Sequence, residues 1–202
     1  MRLDWIPTYS CLWIASLASN PARATANIEM PEPTTPERLT LHRFSDDGTI
    51  PNSDLPLLAY RTVLEDEVDL ASAFEELFAA NNWCGSWRNG IYCFRHYHSR
   101  AHEVLGIARG HARVEFGGPD GEELEAAAGD AVVIPAGVSH YNLGASDDLL
   151  VIGAYPAAGS PDLCRDSLRE RNVALLQLES VALPTTDPVY GVDGPLMRAW
   201  RP

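Results

Sequence analysis

The chain has 202 residues, 46% of them hydrophobic and 21% charged, with a formal net charge of -13. That is enough chain for one domain with a sizeable core, and the acidity opposes binding to nucleic acid or an anionic membrane. All 15 basic residues are arginines, which excludes Schiff-base chemistry, pyridoxal phosphate and a phosphate-loop lysine, and leaves base catalysis to His, Glu, Asp, Tyr or a metal.

The start, "MRLDWIPTYSCLWIASLASNPARATA", has Arg2, an apolar patch over 11–18 and Ala22-Arg23-Ala24 as a candidate cleavage site. It reads as a faint secretory signal, a disordered leader or a misplaced start codon; Asp4 and Pro7 weigh against the first. With the proline-rich "PEPTTPER" it forms a leader and linker over residues 1–36, leaving 37–202 as the folded domain. No run reaches the roughly 18–20 apolar residues that span a bilayer, and the expected location is the cytoplasm.

Next, "RLTLHRF" alternates as a strand, "SDDGTIPNSDLP" is turn chemistry, and "LLAYRTVL" is a second strand. "DLASAFEELFAANNW" places Leu70, Phe74, Leu77 and Phe78 at helical spacing and ends at Asn81-Asn82. From Ile91 the texture becomes short strands divided by Gly and Pro: "IYCFRHYH", "HEVLGIARG", "HARVEFGG", "EELEAAAGD", "AVVIPAG" and "LLVIGAYP". This rhythm predicts an all-β sandwich or barrel of antiparallel sheets. After Pro161, "DSLRERN" is expected as a short helix, "ALLQLESVAL" as an edge strand and "PTTDPVYGVDGPL" as an ordered loop. The cysteines Cys11, Cys84, Cys93 and Cys164 form no CxxC pair, so zinc-ribbon and thioredoxin readings fail and reduced thiols are expected.

Three of the six histidines crowd "HYHSRAHE". In a strand His96 and His98 share one face, so both imidazoles reach one ion at roughly 2.0–2.2 Å. Glu103 opens the following strand and can bring a carboxylate to the same point. His102, one position earlier, faces away, behind the ligands or on the outside. His140, delivered by the "PAG" turn, is the remaining ligand. Three neutral imidazoles and a carboxylate leave a divalent ion with a charge of about +1 and open positions for water, oxygen or a chelating substrate. His42 and His111 are expected as surface or hydrogen-bonded residues.

These residues resemble the two cupin motifs. Gly90, His96, His98, Glu103 and Gly110 fill the first, with five, four and six residues in the gaps from Gly90 to His96, His98 to Glu103 and Glu103 to Gly110. Gly129, Pro135, Gly137 and His140 fill the second, but its terminal Asn is Gly144, with Asn142 two places early. That departure touches the turn and not a ligand. The flanking "SWRNGIY", "HEVLG", "NLGAS", "GAYP" and "TDPVYG" are similar to a small group of bacterial and fungal single cupins, whose fungal members look like oxidoreductases of polyketide and aromatic-aldehyde biosynthesis.

The resemblance implies a double-stranded β-helix (jelly-roll) barrel with one or two flanking helices. It also implies a divalent transition metal held by His96, His98, Glu103 and His140. Fe(II) is favoured, with Mn, Ni, Co, Cu or Zn as other choices. Glu103 either stays a ligand or acts as base. Trp87 and Tyr92, with Trp83, are candidates for a pocket mouth, and Tyr141 and Asn142 for substrate contact. Arg88, Arg95 and Arg100 are candidates to grip a carboxylate or phenolate, although a solvated strand face is the simpler reading. The expected activity is an oxygenase-type oxidoreduction of a small aromatic, polyketide-derived or enolisable compound. A non-redox isomerase or lyase, or a metal-stabilised binding module, are the alternatives. A homodimer is expected, through barrel edges or through exchange of the N-terminal strands or the tail from Ala174.

Overall fold

A computed structural model describes residues 38–65, 67–157 and 159–201. The leader over 1–36, its signal-like features and Cys11 lie outside the described residues. Eleven strands and three helices follow one another as β1 Leu39–Phe44, β2 Ser53–Tyr60, α1 Leu70–Ala80, β3 Trp83–Asn89, β4 His96–Tyr97, β5 Glu103–Arg109 and β6 His111–Phe116, then β7 Glu122–Ala127, β8 Ala131–Ile134, β9 His140–Ala145, β10 Leu150–Pro156, β11 Cys164–Arg165, α2 Leu168–Leu178 and α3 Pro195–Ala199. They form two antiparallel sheets, a six-stranded one ordered β1-β2-β8-β5-β10-β3 and a five-stranded one ordered β11-β4-β9-β6-β7. This is the expected jelly roll, with α3 as a helix beyond those expected.

The four central strands of the six-stranded sheet, β2, β8, β5 and β10, are buried on both faces, which explains their continuous apolar runs. Side chains alternate between two cores. Leu57, Ala59, Leu105, Ile107, Val132, Ile134 and Val151 point into the barrel, where they meet Ala112, Val114 and Phe116 of the second sheet. Leu58, Tyr60, Val104, Val133 and Ile152 point the other way, onto Phe74 and Phe78 of α1, Trp83, and Leu196 and Trp200 of the C-terminal segment. The period of two therefore puts Glu103, in step with Leu105 and Ile107, inside the barrel, and His102 outside it.

Helix α1 matches its expected span; the Asp69 carboxylate caps it by accepting from the Ser72 N–H and hydroxyl at 3.3 and 2.7 Å. Other boundaries moved. Trp83–Asn89, which carries Gly85 and two asparagine or serine positions unsuited to strands, is strand β3 because its single neighbour β10 pairs with it along its length. In the run "IYCFRHYH" only His96 and Tyr97 are strand. β2 begins at Ser53, inside the stretch expected to be turn. The expected edge strand "ALLQLESVAL" is instead the continuation of α2 and its exit. Ser167 caps that helix by accepting from the Glu170 N–H, and the S-x-x-E spacing is a start signal that sustains a helix through the leucines. The tail from Ala174 packs on its own barrel, with Val189, Leu196 and Trp200 in the core. No disulfide joins the described cysteines, and no described helix is long and apolar enough to cross a membrane.

Candidate metal centre

Two strands bring the histidines together, with His98 following directly on β4. In the five-stranded sheet His96 of β4 stands directly opposite His140 of β9, and cross-strand partners share a face. Their ring centroids are 4.0 Å apart, and that of His98 lies 5.8 Å from His96 and 6.0 Å from His140. One nitrogen from each ring falls within 4.8 Å of the other two. From the opposite sheet Glu103 sends Oε2 to 3.3 Å from His98 Nε2 and 3.4 Å from His140 Nε2. The tight group is therefore the three imidazoles, with the carboxylate set against two of them. The PxG turn helps to place it. Gly137 has φ +91, a Cβ there would stand 2.3 Å from the Asn52 carbonyl oxygen, and its N–H donates to the His98 carbonyl at 2.8 Å.

Charge and burial prepare the site for a cation. Burial, reinforced by His98, lowers the pKa of His96 to about 4. Burial, with His96, also holds His140 well below its usual value. Both rings are then neutral near pH 7, with lone pairs free to bind. For Glu103 burial works to raise the pKa, but His98, His140 and the Tyr155 hydroxyl outweigh it and keep the group ionised. For His98 burial is likewise outweighed, by Glu103 and Asp162, and its pKa rises. Glu103 Oε2 is buried without a hydrogen-bond partner. A buried charged oxygen left so is costly, and a divalent ion among these four side chains would satisfy it. The residues fit such an ion.

A clasp from the β10–β11 connection orients His98. Its Nδ1 faces the carbonyl oxygen of Asp162, which only accepts, so Nδ1 carries the proton and Nε2 is left for the centre. The Asp162 carboxylate in turn accepts from the Ser99 N–H at 2.8 Å and the Ser99 hydroxyl at 2.6 Å. Asp162→Ala keeps the main-chain carbonyl but removes the carboxylate that pins it to Ser99, and is expected to weaken cobalt(II) affinity by about 10-fold, the low end of what loosening a ligand's orienting group costs. Competition with a chelator would measure it, and an unchanged affinity would show that His98 holds itself.

The other expected site residues divide. Trp87 donates its indole N–H to the Tyr155 hydroxyl at 2.9 Å and lies flat over Gly153, where a Cβ would come within 2.1 Å of the indole. Tyr155 rests edge-on to His98 at 5.8 Å. It is the functional residue that sequence reasoning missed, although its "GAYP" setting stood out. Tyr92 is 46% exposed, stacks on Phe94 at 4.7 Å and meets His96 edge-on at 5.1 Å. Tyr141 is a correction: it lies on the outer face of β9, beneath the Arg95 guanidinium at 5.8 Å, because alternation turns it away from His140. Asn142 is another. Its amide oxygen accepts from the Gly144 N–H at 2.9 Å and its NH2 donates to the Ile91 carbonyl at 3.4 Å, so it braces the chain entering β4.

His102 faces away from the cluster as expected. It is buried rather than outside, because Trp200 covers it at 4.5 Å and the Ala136 N–H donates to its Nδ1 at 3.0 Å. Arg88 and Arg95 are spent on Glu75 and Glu115, and Arg100 borders a separate cavity of about 140 Å³ beside His102. His42 bonds Glu122, and His111 is exposed.

A family model described as a cupin domain matches residues 89–152, the span that holds all four side chains. The uncharacterized protein YjlB of Bacillus subtilis is 40% identical over 158 residues, which make up 78% of this chain and 93% of that protein. Among solved structures, an acireductone dioxygenase from Bacillus anthracis with a cadmium ion in its active centre covers 61% of this chain and 82% of its own, at 18% identity and a TM-score of 0.35. An oxalate decarboxylase of Bacillus subtilis covers 58% of this chain and 29% of its own, at 19% identity and a TM-score of 0.33. Likeness of that degree says nothing of substrate or reaction.

Proposed function

The chain belongs to the cupin family, and from that premise we propose that it is a metal-dependent oxidoreductase of oxygenase type, acting on a small aromatic, polyketide-derived or enolisable substrate. The observation that carries the reading is the three-imidazole group drawn to within 4.8 Å, with a buried ionised carboxylate against two of its members. His96, His98, His140 and Glu103 would hold the ion, with Fe(II) preferred, and the bound ion supplies Lewis acidity and access to oxygen chemistry. His98 and His140, with the Tyr155 hydroxyl that Trp87 anchors, keep the Glu103 carboxylate ionised. Glu103 either stays on the ion or, released from it, is the acceptor for a proton leaving an enolisable substrate. The aromatic rings of Tyr92 and Phe94 beside His96 give a flat substrate an apolar wall.

The test is oxygen consumption by the Fe(II)-loaded protein against a panel of catechols and 1,3-diketones. Protein-dependent uptake is expected, falling by more than about 100-fold in Glu103→Ala. Turnover without oxygen uptake would replace this reading with a Lewis-acid isomerase or lyase. Stoichiometric metal with no turnover across the panel would replace it with a binding module.

A further inference from the structure

The register of the five-stranded sheet carries one residue beyond the metal ligands to the mouth of the barrel. β11 pairs with β4 so that Arg165 stands opposite His96, as His140 does on the other side. Cross-strand partners share a face, so Arg165, His96 and His140 form one row. Neighbouring residues confirm the assignment of faces: Cys164 and Tyr97, one step along, point outward into a cluster with Ile50 and Ala174. The Arg165 side chain is exposed, and its guanidinium carbon lies 3.9 Å from the centre of the Phe94 ring. Phe94 in turn is 5.5 Å from the His96 ring and stacked with Tyr92 at an interplanar angle of 17°.

A guanidinium lying on an aromatic face is held by that face and keeps its N–H donors in the plane, directed outward. Here nothing in the described chain takes them. The guanidinium lies on the Phe94 ring, and the nearby Glu170 carboxylate accepts instead from Arg165's own backbone N–H. The contrast with Arg95 is direct. It points to the outer face, and Glu115 takes it with two parallel bonds of 2.7 and 3.0 Å. In a chain with 28 acidic residues, a fixed guanidinium without an acid beside a metal centre calls for an anion from outside. Arg165 and Tyr92 take the two faces of Phe94, and the ring edges left beside His96 call for a small, apolar body.

We propose that Arg165 is the specificity-determining residue of the site and binds the carboxylate of a small aromatic carboxylic acid whose ring packs against the edges of Phe94 and Tyr92 beside His96. The inference rests on the reading of the His96 cluster as the reaction centre and narrows its substrate to anions.

The probe is benzoate, with neutral benzamide of the same shape as control, titrated calorimetrically into cobalt(II)-loaded and metal-free protein. Benzoate is expected to bind about tenfold or more tightly than benzamide, since a charge-assisted bidentate contact discriminates at that level. Arg165→Met should erase the preference while leaving the melting temperature and cobalt stoichiometry unchanged. Arg165→Lys should retain part of it, since the charge remains without the fork. Phe94→Leu should weaken benzoate by removing the guanidinium's support. Equal binding of the two probes, absence of benzoate binding, or a preference that survives Arg165→Met would each overturn the assignment. The two readings fail separately. Full cobalt binding without benzoate preference sinks the role of Arg165 alone, and benzoate preference in a protein that takes up no cobalt sinks the metal reading alone.

Discussion

His98→Ala is expected to strip the protein of nearly all its bound transition metal, lowering cobalt(II) affinity by more than about 100-fold, beyond what loss of an orienting group costs. The size of the effect follows from the way the ring is held. His98 is the imidazole with a committed tautomer, its Nδ1 proton given to the Asp162 carbonyl, and it is one of the two in contact with Glu103. Its removal leaves two imidazoles and a carboxylate that has lost a neighbour. His102→Ala is the control. It stands one residue from Glu103, yet its ring packs on Trp200 outside the barrel, so metal content should be preserved. Elemental analysis of the three proteins, with cobalt titration against a chelator, measures both. Equal metal in wild type and His98→Ala would remove the centre proposed here. Loss in His102→Ala alone would move it to the other face of β5.

That pair of variants also marks how far the sequence could be read. His96, His98, Glu103 and His140 were legible because each rests on a short-range rule. A period of two puts His96 and His98 on one face, and Gly137 makes the turn that delivers His140. The same rule correctly turned His102 away, but it could not show that Trp200, nearly a hundred positions later, would bury it. Tyr141 is turned away for a related reason. Adjacency to a ligand in sequence is not adjacency in space when alternate side chains leave on opposite faces. Tyr155 and Arg165 were invisible to local reasoning, because the first reaches Glu103 through the β10–β5 pairing and the second reaches Phe94 through a two-residue bridge. Strand β3 was lost because its composition is poor for a strand and its partner, β10, is distant in sequence. α2 was cut short because its leucines were read as an edge strand, when the Ser167 cap had already set a helical period.

Asp187→Ala is expected to cost about 3 kcal/mol of stability and to lower the melting temperature by about 6–12 °C, at roughly 2–4 °C per kcal/mol for a chain of this size. Asp187 lies in the loop between α2 and α3 and is fully buried. Its carboxylate accepts from the Tyr60 hydroxyl at 2.6 Å and from the N–H groups of Val189, Tyr190 and Leu196 at 2.8, 3.1 and 3.0 Å. Truncation leaves four buried donors without an acceptor, and the cost lies mainly in those orphans rather than in any single lost bond. Tyr60→Phe deletes one of the four contacts and should cost about 1–2 kcal/mol, so the pair separates the hub from its largest spoke.

The consequence stops short of the site. The bond to the Leu196 N–H fixes α3, α3 places Trp200, and Trp200 covers His102 on the face of β5 away from the ligands. Cobalt affinity of folded Asp187→Ala is therefore expected to stay close to wild type, as in His102→Ala, while the melting temperature falls. A melting point within 2 °C of wild type would show that the C-terminal segment is held by its apolar contacts alone.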